Sequence, residues 1–333
     1  MNLATLIPRH GPGLALSALV ATAATLLAKL VPVVGAPVLA LLGGVLFGAL
    51  VRGKTTATEL FAPGFELARH HLLSAAIVLL GLGLPVGAVL SVGRDTAVVL
   101  VGTAAVGAVA ALLLGRALAI DPDSAVLVAV GTTICGASAI AAATAVLRPE
   151  RHRVGYALGT IFLFNVLAVL IYPPLGHLFG LSQPAFGLWA GTAINDTSSV
   201  LAAGAAYGAV AAQFAVIVKL VRSLLIVPMC LGLQLTRRDT ATKTPLWRIF
   251  PLFVVLFVLA SVIAGTGLVP VALTSQLASV SGWLIAAALA AIGAAMNWHQ
   301  VRTAGPRPLL YGGLLSVVLA VSSLALQFFT GWR

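Results

Sequence analysis

Three ionisable side chains lie inside long apolar runs of this chain, where charge is costly and is usually retained for function. Asp196 lies in a polar turn at 194–199. Lys219 and Arg222 lie in the apolar run 214–228. Because the two cations are three residues apart, a helix would carry both on one face. A carboxylate at this depth could take up a proton or a cation, and the cationic pair could attract an anion.

Each of these groups also has a structural interpretation. Asp196 could be neutralised by a structural partner, or it could cap a half-helix at a kink. Lys219 and Arg222 could hold Asp196 in a structural ion network. One cation would neutralise Asp196 and the second leaves a surplus positive charge, so we interpret the pair as favouring an anion.

Small polar residues crowd together at two places inside the apolar segments, over 132–138 and over 195–199. Irregular backbone at membrane depth is tolerated where it is buried in protein or lines water. A broken helix also points the N–H groups of its second half into the membrane centre, and anions bind such ends. The predicted substrate-binding residues are Thr132, Thr133, Cys135, Gly136, Ser138, Asn195, Thr197, Ser198, Ser199, Lys219 and Arg222.

The two turns belong to a duplicated pattern. Residues 131–143 align with 191–203 in the skeleton GTxIxxxSx[IV]xAA. An isolated Ser or Thr in a membrane helix usually bonds back to its own helix or packs against a neighbour. Duplication of the whole pattern favours a binding site instead. Asn165 is a lone amide in another apolar segment and is interpreted either as a link between helices or as a ligand.

The remaining motifs favour neither an enzyme nor a metalloprotein. His70 and His71 have no third ligand near them in sequence, so we predict no metal site. The chain contains no HExxH, GxSxG, P-loop or CxxC motif, and each of these would indicate specific chemistry. We therefore predict no cofactor and no enzymatic activity.

The composition is that of a membrane protein. The 333 residues are 60% hydrophobic and 8% charged, with a mean hydropathy of +1.11, whereas soluble domains are about 25% charged. These values exclude a soluble enzyme, a disordered chain and a secreted disulfide scaffold. The net charge of +11 is scattered over short loops, so we interpret it as a topology signal and not as a nucleic-acid surface. The polar stretches are too short for a domain that hydrolyses ATP.

Eleven apolar segments are predicted, at about 20 residues for each span. Together they indicate an all-α polytopic membrane protein with one transporter domain over 1–333. The segments lie near 13–33, 35–51, 70–92, 95–115, 124–147, 153–176, 185–206, 209–235, 247–268, 281–299 and 308–329.

Internal repeats constrain how these segments cross. Residues 124–147 pair with 185–206, and 70–115 pair with 281–329. If all eleven segments cross, the first pair runs parallel and the second antiparallel, so no single symmetry operation relates both. If 124–147 and 185–206 are re-entrant hairpins, both pairs become inverted repeats. We prefer nine crossings with two hairpins, and broken helices that span the membrane are the alternative.

The distribution of Lys and Arg tests this preference, because cytoplasmic loops carry the excess. Seventeen of these residues lie outside the 214–228 run. Eleven crossings divide them 11 against 6, whereas nine crossings with two hairpins divide them 14 against 3. The hairpin arrangement predicts a cytoplasmic N-terminus and a C-terminus outside.

The same motifs resemble the bacterial YeiH-like family, whose label names sulfate export. The similar stretches are 131–142, 191–204, 219–228 and 291–310, and the resemblance spans nearly the whole chain. It implies an inner-membrane secondary transporter related to cation/proton antiporters and bile-acid symporters, with inverted repeats and crossed broken helices. That kinship favours broken helices that cross the membrane, rather than re-entrant hairpins. The family pattern carries His-Glu where this chain has Asn195-Asp196. The acidic residue is therefore an Asp instead of a Glu, and the histidine that could bind a proton is absent.

We therefore expect a multi-pass protein of the bacterial inner membrane that transports small anions, sulfate-like ones among them, with coupling to protons or cations through Asp196. The expected partners are the small anion, membrane lipid and the coupling ion, without nucleic acid; a homodimer stays open. A passive anion channel is the first alternative, because it would need no titrating acid. A membrane-embedded enzyme is the second.

Overall fold

The computed structural model of the chain describes residues 3–30, 35–51, 55–236, 252–295 and 305–332. Within these ranges every regular element is a helix, which confirms the all-α prediction. The helices are α1 (Leu3–Leu30), α2 (Ala36–Val51), α3 (Thr55–Leu67), α4 (Leu73–Leu82), α5 (Val86–Asp95), α6 (Ala97–Ala117), α7 (Pro122–Val130), α8 (Ala137–Leu147), α9 (Arg151–Leu178), α10 (Gln183–Ala193), α11 (Thr197–Tyr207), α12 (Ala209–Ser223), α13 (Ile226–Thr236), α14 (Leu252–Gly265), α15 (Val271–Ala294) and α16 (Pro306–Thr330). Two π-helical turns, Ala68–Leu72 and Gly131–Cys135, follow α3 and α7.

Seven helical stretches in the described residues are long and apolar enough to cross a membrane. Four shorter apolar helical stretches lie between them in the chain, namely Ala36–Val51, Pro122–Cys135, Ala137–Leu147 and Leu252–Gly265. Large apolar side chains cover the outside of the molecule, as on α6, where Val98, Val101 and Leu112 are exposed. Lipid is the solvent that accepts such a surface, so the protein is a polytopic membrane protein.

The first broken segment, from α7 to α8, turns back on itself. Its first half begins beside Asp121, which caps α7, and its second half ends three residues before α9. Arg153 in the first turn of α9 donates to Asp121 Oδ1 at 2.6 Å and to Asp123 Oδ2 at 3.3 Å. The two ends of the segment are therefore side by side, as in a re-entrant hairpin.

The second broken segment, from α10 to α11, has the same form. The rings of Phe186 and Tyr207, near its two ends, stack at 3.8 Å between centroids. Gln183 Oε1 at the start of α10 accepts from the N–H groups of Val210 and Ala211 at 3.0 and 3.2 Å. Both broken segments are hairpins, so the spanning broken helices that the family kinship implied are wrong for this chain.

Helix α9 shows that the hairpins enter from opposite ends of the molecule. It has 28 residues, which corresponds to about 42 Å. The base of the first hairpin contacts Arg153 at the beginning of α9, whereas the second hairpin starts just after its end at Leu178. Two hairpins of this length that start at opposite ends of α9 can meet near its middle.

Close contacts between small residues hold the neighbouring helices together. Gly44 and Gly48 of α2 lie against the carbonyls of Ala290 and Ala294 of α15, where a Cβ would collide with the backbone. Gly293 of α15 lies equally close to the backbone of α2. In lipid, such close packing and dispersion drive helix association, so this pair is tightly joined beside the hairpins.

One predicted segment is displaced in the structure. The span placed at 70–92 runs instead over Glu59–Leu82, and α5 follows it as a separate short helix. Glu66 lies in α3 and pairs with Arg69 and His70 at 2.6 and 3.1 Å. The carboxylate is paired within one turn of its own helix, which lets the helix continue through it.

The two histidines, His70 and His71, lie inside the π-helical turn Ala68–Leu72. Parts of three predicted segments, 31–33, 247–251 and 296–299, lie outside the described residues. The repeat relation between the paired segments stays a prediction.

Candidate functional site

The tips of the two hairpins meet at Gly136 and Asp196. Gly136 has φ 66° and ψ −131° and joins the π-helical turn to α8. A Cβ at this position would lie 2.9 Å from Asp196 Cβ and 3.0 Å from its Oδ1. Only glycine adopts this backbone without strain and leaves this space. The structure therefore brings together the two turns that the sequence identified as copies.

Asp196 serves as the N-cap of α11. Its Oδ2 accepts from the Ser198 N–H at 3.1 Å and from the Ser198 hydroxyl. Its own N–H donates to Asn165 Oδ1 at 3.2 Å. Asn165 lies buried near the middle of α9, so the tips meet at about half the depth of that helix. The capping interpretation of Asp196 describes one role of this side chain, and the carboxylate also faces the other hairpin.

Lys219 and Arg222 lie completely inside the protein, with 0% and 1% of their surfaces exposed. Lys219 Nζ donates to the Ile194 carbonyl at 2.8 Å, and Arg222 Nη1 donates to the Thr192 carbonyl. Both acceptors lie at the C-terminal end of α10, where the helix dipole is negative and cations are favourable. Across the described ranges, the ion pairs shorter than 4.0 Å involve neither cation.

Three polar atoms at this site are buried without a partner in the described part of the chain. They are the Nε and Nη2 groups of Arg222, and the Oδ1 atom of Asn195, which is 2% exposed. A buried donor or acceptor that lacks a hydrogen bond costs free energy. The site therefore has unused donor and acceptor capacity at membrane depth, which a ligand or water would satisfy.

The first hairpin contributes a thiol and a helix end. The Cys135 thiol is buried at the end of the π-helical turn, directly before Gly136. No side chain caps the N-terminus of α8, which begins after Gly136. A free helix N-terminus carries partial positive charge, so it adds to the two cations near the tips.

Other predicted residues are placed differently. The hydroxyls of Thr132 and Thr133 donate to Val128 and Ala129 of their own helix at 2.8 and 2.7 Å. Ser138 is exposed, whereas Thr197 and Ser199 are buried in α11. The two threonines therefore lie beside the tip, and their hydroxyl groups donate to backbone carbonyls of their own helix and not to a ligand.

Sequence reasoning missed the carbonyl acceptors of Thr192 and Ile194, which residue types do not reveal. It also missed the hydroxyl contact between Thr192 and Ser323 of α16, at 2.6 Å. Ser323 and Gln327 are both buried in α16 and four residues apart. That polar pair on one face of an apolar helix was the available signal.

Comparison with known proteins places the chain in a family. The family model described as "Conserved hypothetical protein 698" matches residues 12–312. The chain belongs to this family. It is the YeiH-like family that the hairpin motifs resemble.

Curated relatives in this family match nearly full length. A UPF0324 membrane protein of Streptococcus pyogenes serotype M3 is 37% identical over 97% of this chain and 98% of its own length. Relatives of the same name from Clostridium tetani and Streptococcus mutans are 33% and 36% identical, over 98% and 96% of this chain and 99% and 97% of their own lengths. No solved structure matches significantly. The names of these relatives and the apolar helices agree that the family is one of multi-pass membrane proteins.

Proposed function

We propose that this YeiH-family protein is a secondary active transporter of small anions, in the bacterial inner membrane with a cytoplasmic N-terminus. The observation that carries the proposal is Arg222, a buried cation whose Nε and Nη2 groups have no partner among the described residues. The arginine lies beside the meeting point of two hairpin tips. We assign no enzymatic reaction, metal or cofactor to the site.

The local charge favours an anion. We assign positive charge to Lys219 and Arg222, which adds to that of the free N-terminus of α8, whereas Asp196 is the acid at the contact between the tips. The surplus positive charge lies in a region of low dielectric constant, where its attraction for an anion is strong. This balance supports an anionic substrate over a cationic one.

The shape of the free Arg222 edge favours an oxyanion. Nε–H and Nη2–H point in the same direction and match two oxygens of one carboxylate, sulfate or phosphate group. A halide offers a single centre and would use this edge less well. Sulfate fits this geometry and is the oxyanion that we propose to test first.

The hairpin geometry favours a transporter over the rival channel. The hairpins come from opposite ends of α9, and their tips touch at Gly136 and Asp196. Substrate sites formed by broken helices near the midplane are typical of secondary transporters. The acid at the contact could respond to protonation, which a passive pore would not need.

Transport by the purified protein in proteoliposomes tests the proposal. Labelled sulfate uptake should saturate, should be competed by other oxyanions more than by chloride, and should change with an imposed pH gradient. Uptake that does not saturate and ignores the pH gradient would favour the channel. Failure to bind or move any oxyanion would remove the proposed function.

A further inference from the structure

The C-terminal end of α10 is a broken helix end at membrane depth. After Ala193 the backbone becomes extended at Ile194, with φ −80° and ψ 139°. The last carbonyls of a helix have no partner within the helix. In secondary transporters with broken helices, such carbonyls commonly coordinate the coupling sodium ion.

In this protein, the side chains of Lys219 and Arg222 donate hydrogen bonds to carbonyls at this helix end. Lys219 Nζ donates to Ile194 O at 2.8 Å, and Arg222 Nη1 donates to Thr192 O. The Lys219 side chain is fully buried, and the carbonyl that it binds lies two residues before Asp196. The amino group of Lys219 thus lies at the kind of carbonyl that binds the coupling cation in such transporters.

Little oxygen capacity is left for a metal ion at this turn. A hard cation takes several oxygen ligands, but Ile194 O and Thr192 O already accept from Lys219 and Arg222, and Asp196 Oδ2 accepts from Ser198. Asn195 Oδ1 is a buried acceptor without a partner in the described ranges. Asp196 Oδ1, beside Gly136, is a second available oxygen. Two such oxygens are fewer than the several that a hard cation takes.

We propose that Lys219 is a tethered replacement for the coupling cation, so that anion binding at the hairpin tips needs no added sodium or potassium. The proposal rests on the proposed function, because it assigns a role to Lys219 in the same anion site. Arg222 keeps its free edge for the anion, whereas Lys219 neutralises the broken end of α10. The two cations then have different roles, which substitution can separate.

The test uses Lys219→Ala, which leaves a space where a small cation can bind. In choline buffer, the sulfate affinity of this variant should fall about tenfold or more, a typical coupling between two sites. Added ethylammonium or sodium should restore it. The wild type should bind sulfate equally well in choline and in sodium. The matched control is Lys219→Met, which fills the space without charge and should lose affinity without being rescued.

Three results would overturn the inference. They are a wild type whose sulfate binding requires sodium, a Lys219→Ala variant that binds normally in choline, and a variant whose thermal stability but not sulfate binding returns with ethylammonium. The last result would make Lys219 a purely structural cap. A wild type that binds no anion in any buffer would instead refute the proposed function, and the role of Lys219 as a coupling cation would fall with it.

Discussion

Arg222 uses only part of its hydrogen-bonding capacity in the described part of the protein. One donor binds the Thr192 carbonyl, while Nε and Nη2 are buried and unpaired. A buried cation is costly unless it is paired and hydrogen-bonded. A buried cation at the meeting point of two hairpins is consistent with a partner that binds and dissociates, as a transported anion would. The unpaired Nε and Nη2 groups are therefore the donors that we expect to bind the anion during transport.

Replacing Arg222 by Lys or by Ala should separate charge from shape. Arg222→Lys keeps a cation but loses the two parallel donors, so we expect a sulfate affinity at least about tenfold weaker, corresponding to about 1.4 kcal/mol. Arg222→Ala should bind no measurable sulfate. Isothermal titration in detergent gives the affinities. If Arg222→Lys binds sulfate as tightly as the wild type, the fork geometry is not used.

Asp196→Asn should separate the anion site from its coupling. Asn is also a good N-cap, so α11 should keep its start, while the side chain can no longer take up a proton. Anion exchange should continue, and the response to a pH gradient should be lost. Lys219, which binds the carbonyl two residues before Asp196, stays unchanged in this experiment. Sulfate uptake by Asp196→Asn that still follows the gradient would remove Asp196 from coupling.

At the scale of elements, the sequence predicts the hairpins better than the contacts between them. Charge asymmetry and the duplicated pattern favour re-entrant segments, and the Arg153–Asp121 and Phe186–Tyr207 contacts have the required geometry. The displaced third segment shows the limit, because Glu66 looks like a loop residue until its partners one turn away are known. Backbone acceptors are invisible to residue-type reasoning, because every residue carries the same carbonyl.

The hairpin contact depends on a backbone that only glycine adopts easily. Gly136→Ala would place a methyl group 2.9 Å from Asp196 Cβ at positive φ, and we expect a loss of about 1–3 kcal/mol of stability. The control is Gly155→Ala on α9, where a Cβ meets nothing within 4 Å, so stability should be unchanged or slightly higher. Thermal unfolding in detergent compares the two variants. Equal unfolding temperatures would show that the tips are not in close contact.

At the scale of the whole molecule, helix α9 positions both hairpins of the site. The base of the first hairpin is fixed at its beginning by Arg153, Asn165 near its middle holds the second tip, and the second hairpin starts after its end. Each hairpin therefore reaches the site from a different side of the membrane. Because the tips touch, access from either side requires one hairpin to move relative to the other.

This geometry predicts that the two ends of α9 label from opposite sides of the membrane. Arg151 is exposed at one end and Leu178, with 76% of its surface exposed, at the other, so Arg151→Cys and Leu178→Cys each present an accessible thiol. In intact cells, a membrane-impermeant maleimide should label Leu178→Cys, and Arg151→Cys should react only after the cytoplasmic side is opened. The native Cys135 and Cys230 are buried, so the unsubstituted chain is the background control.

Labelling of Arg151→Cys from outside, together with protection of Leu178→Cys, would invert the orientation that the Lys and Arg distribution predicts. Labelling of both from one side would contradict a spanning α9, and with it the entry of the hairpins from opposite faces.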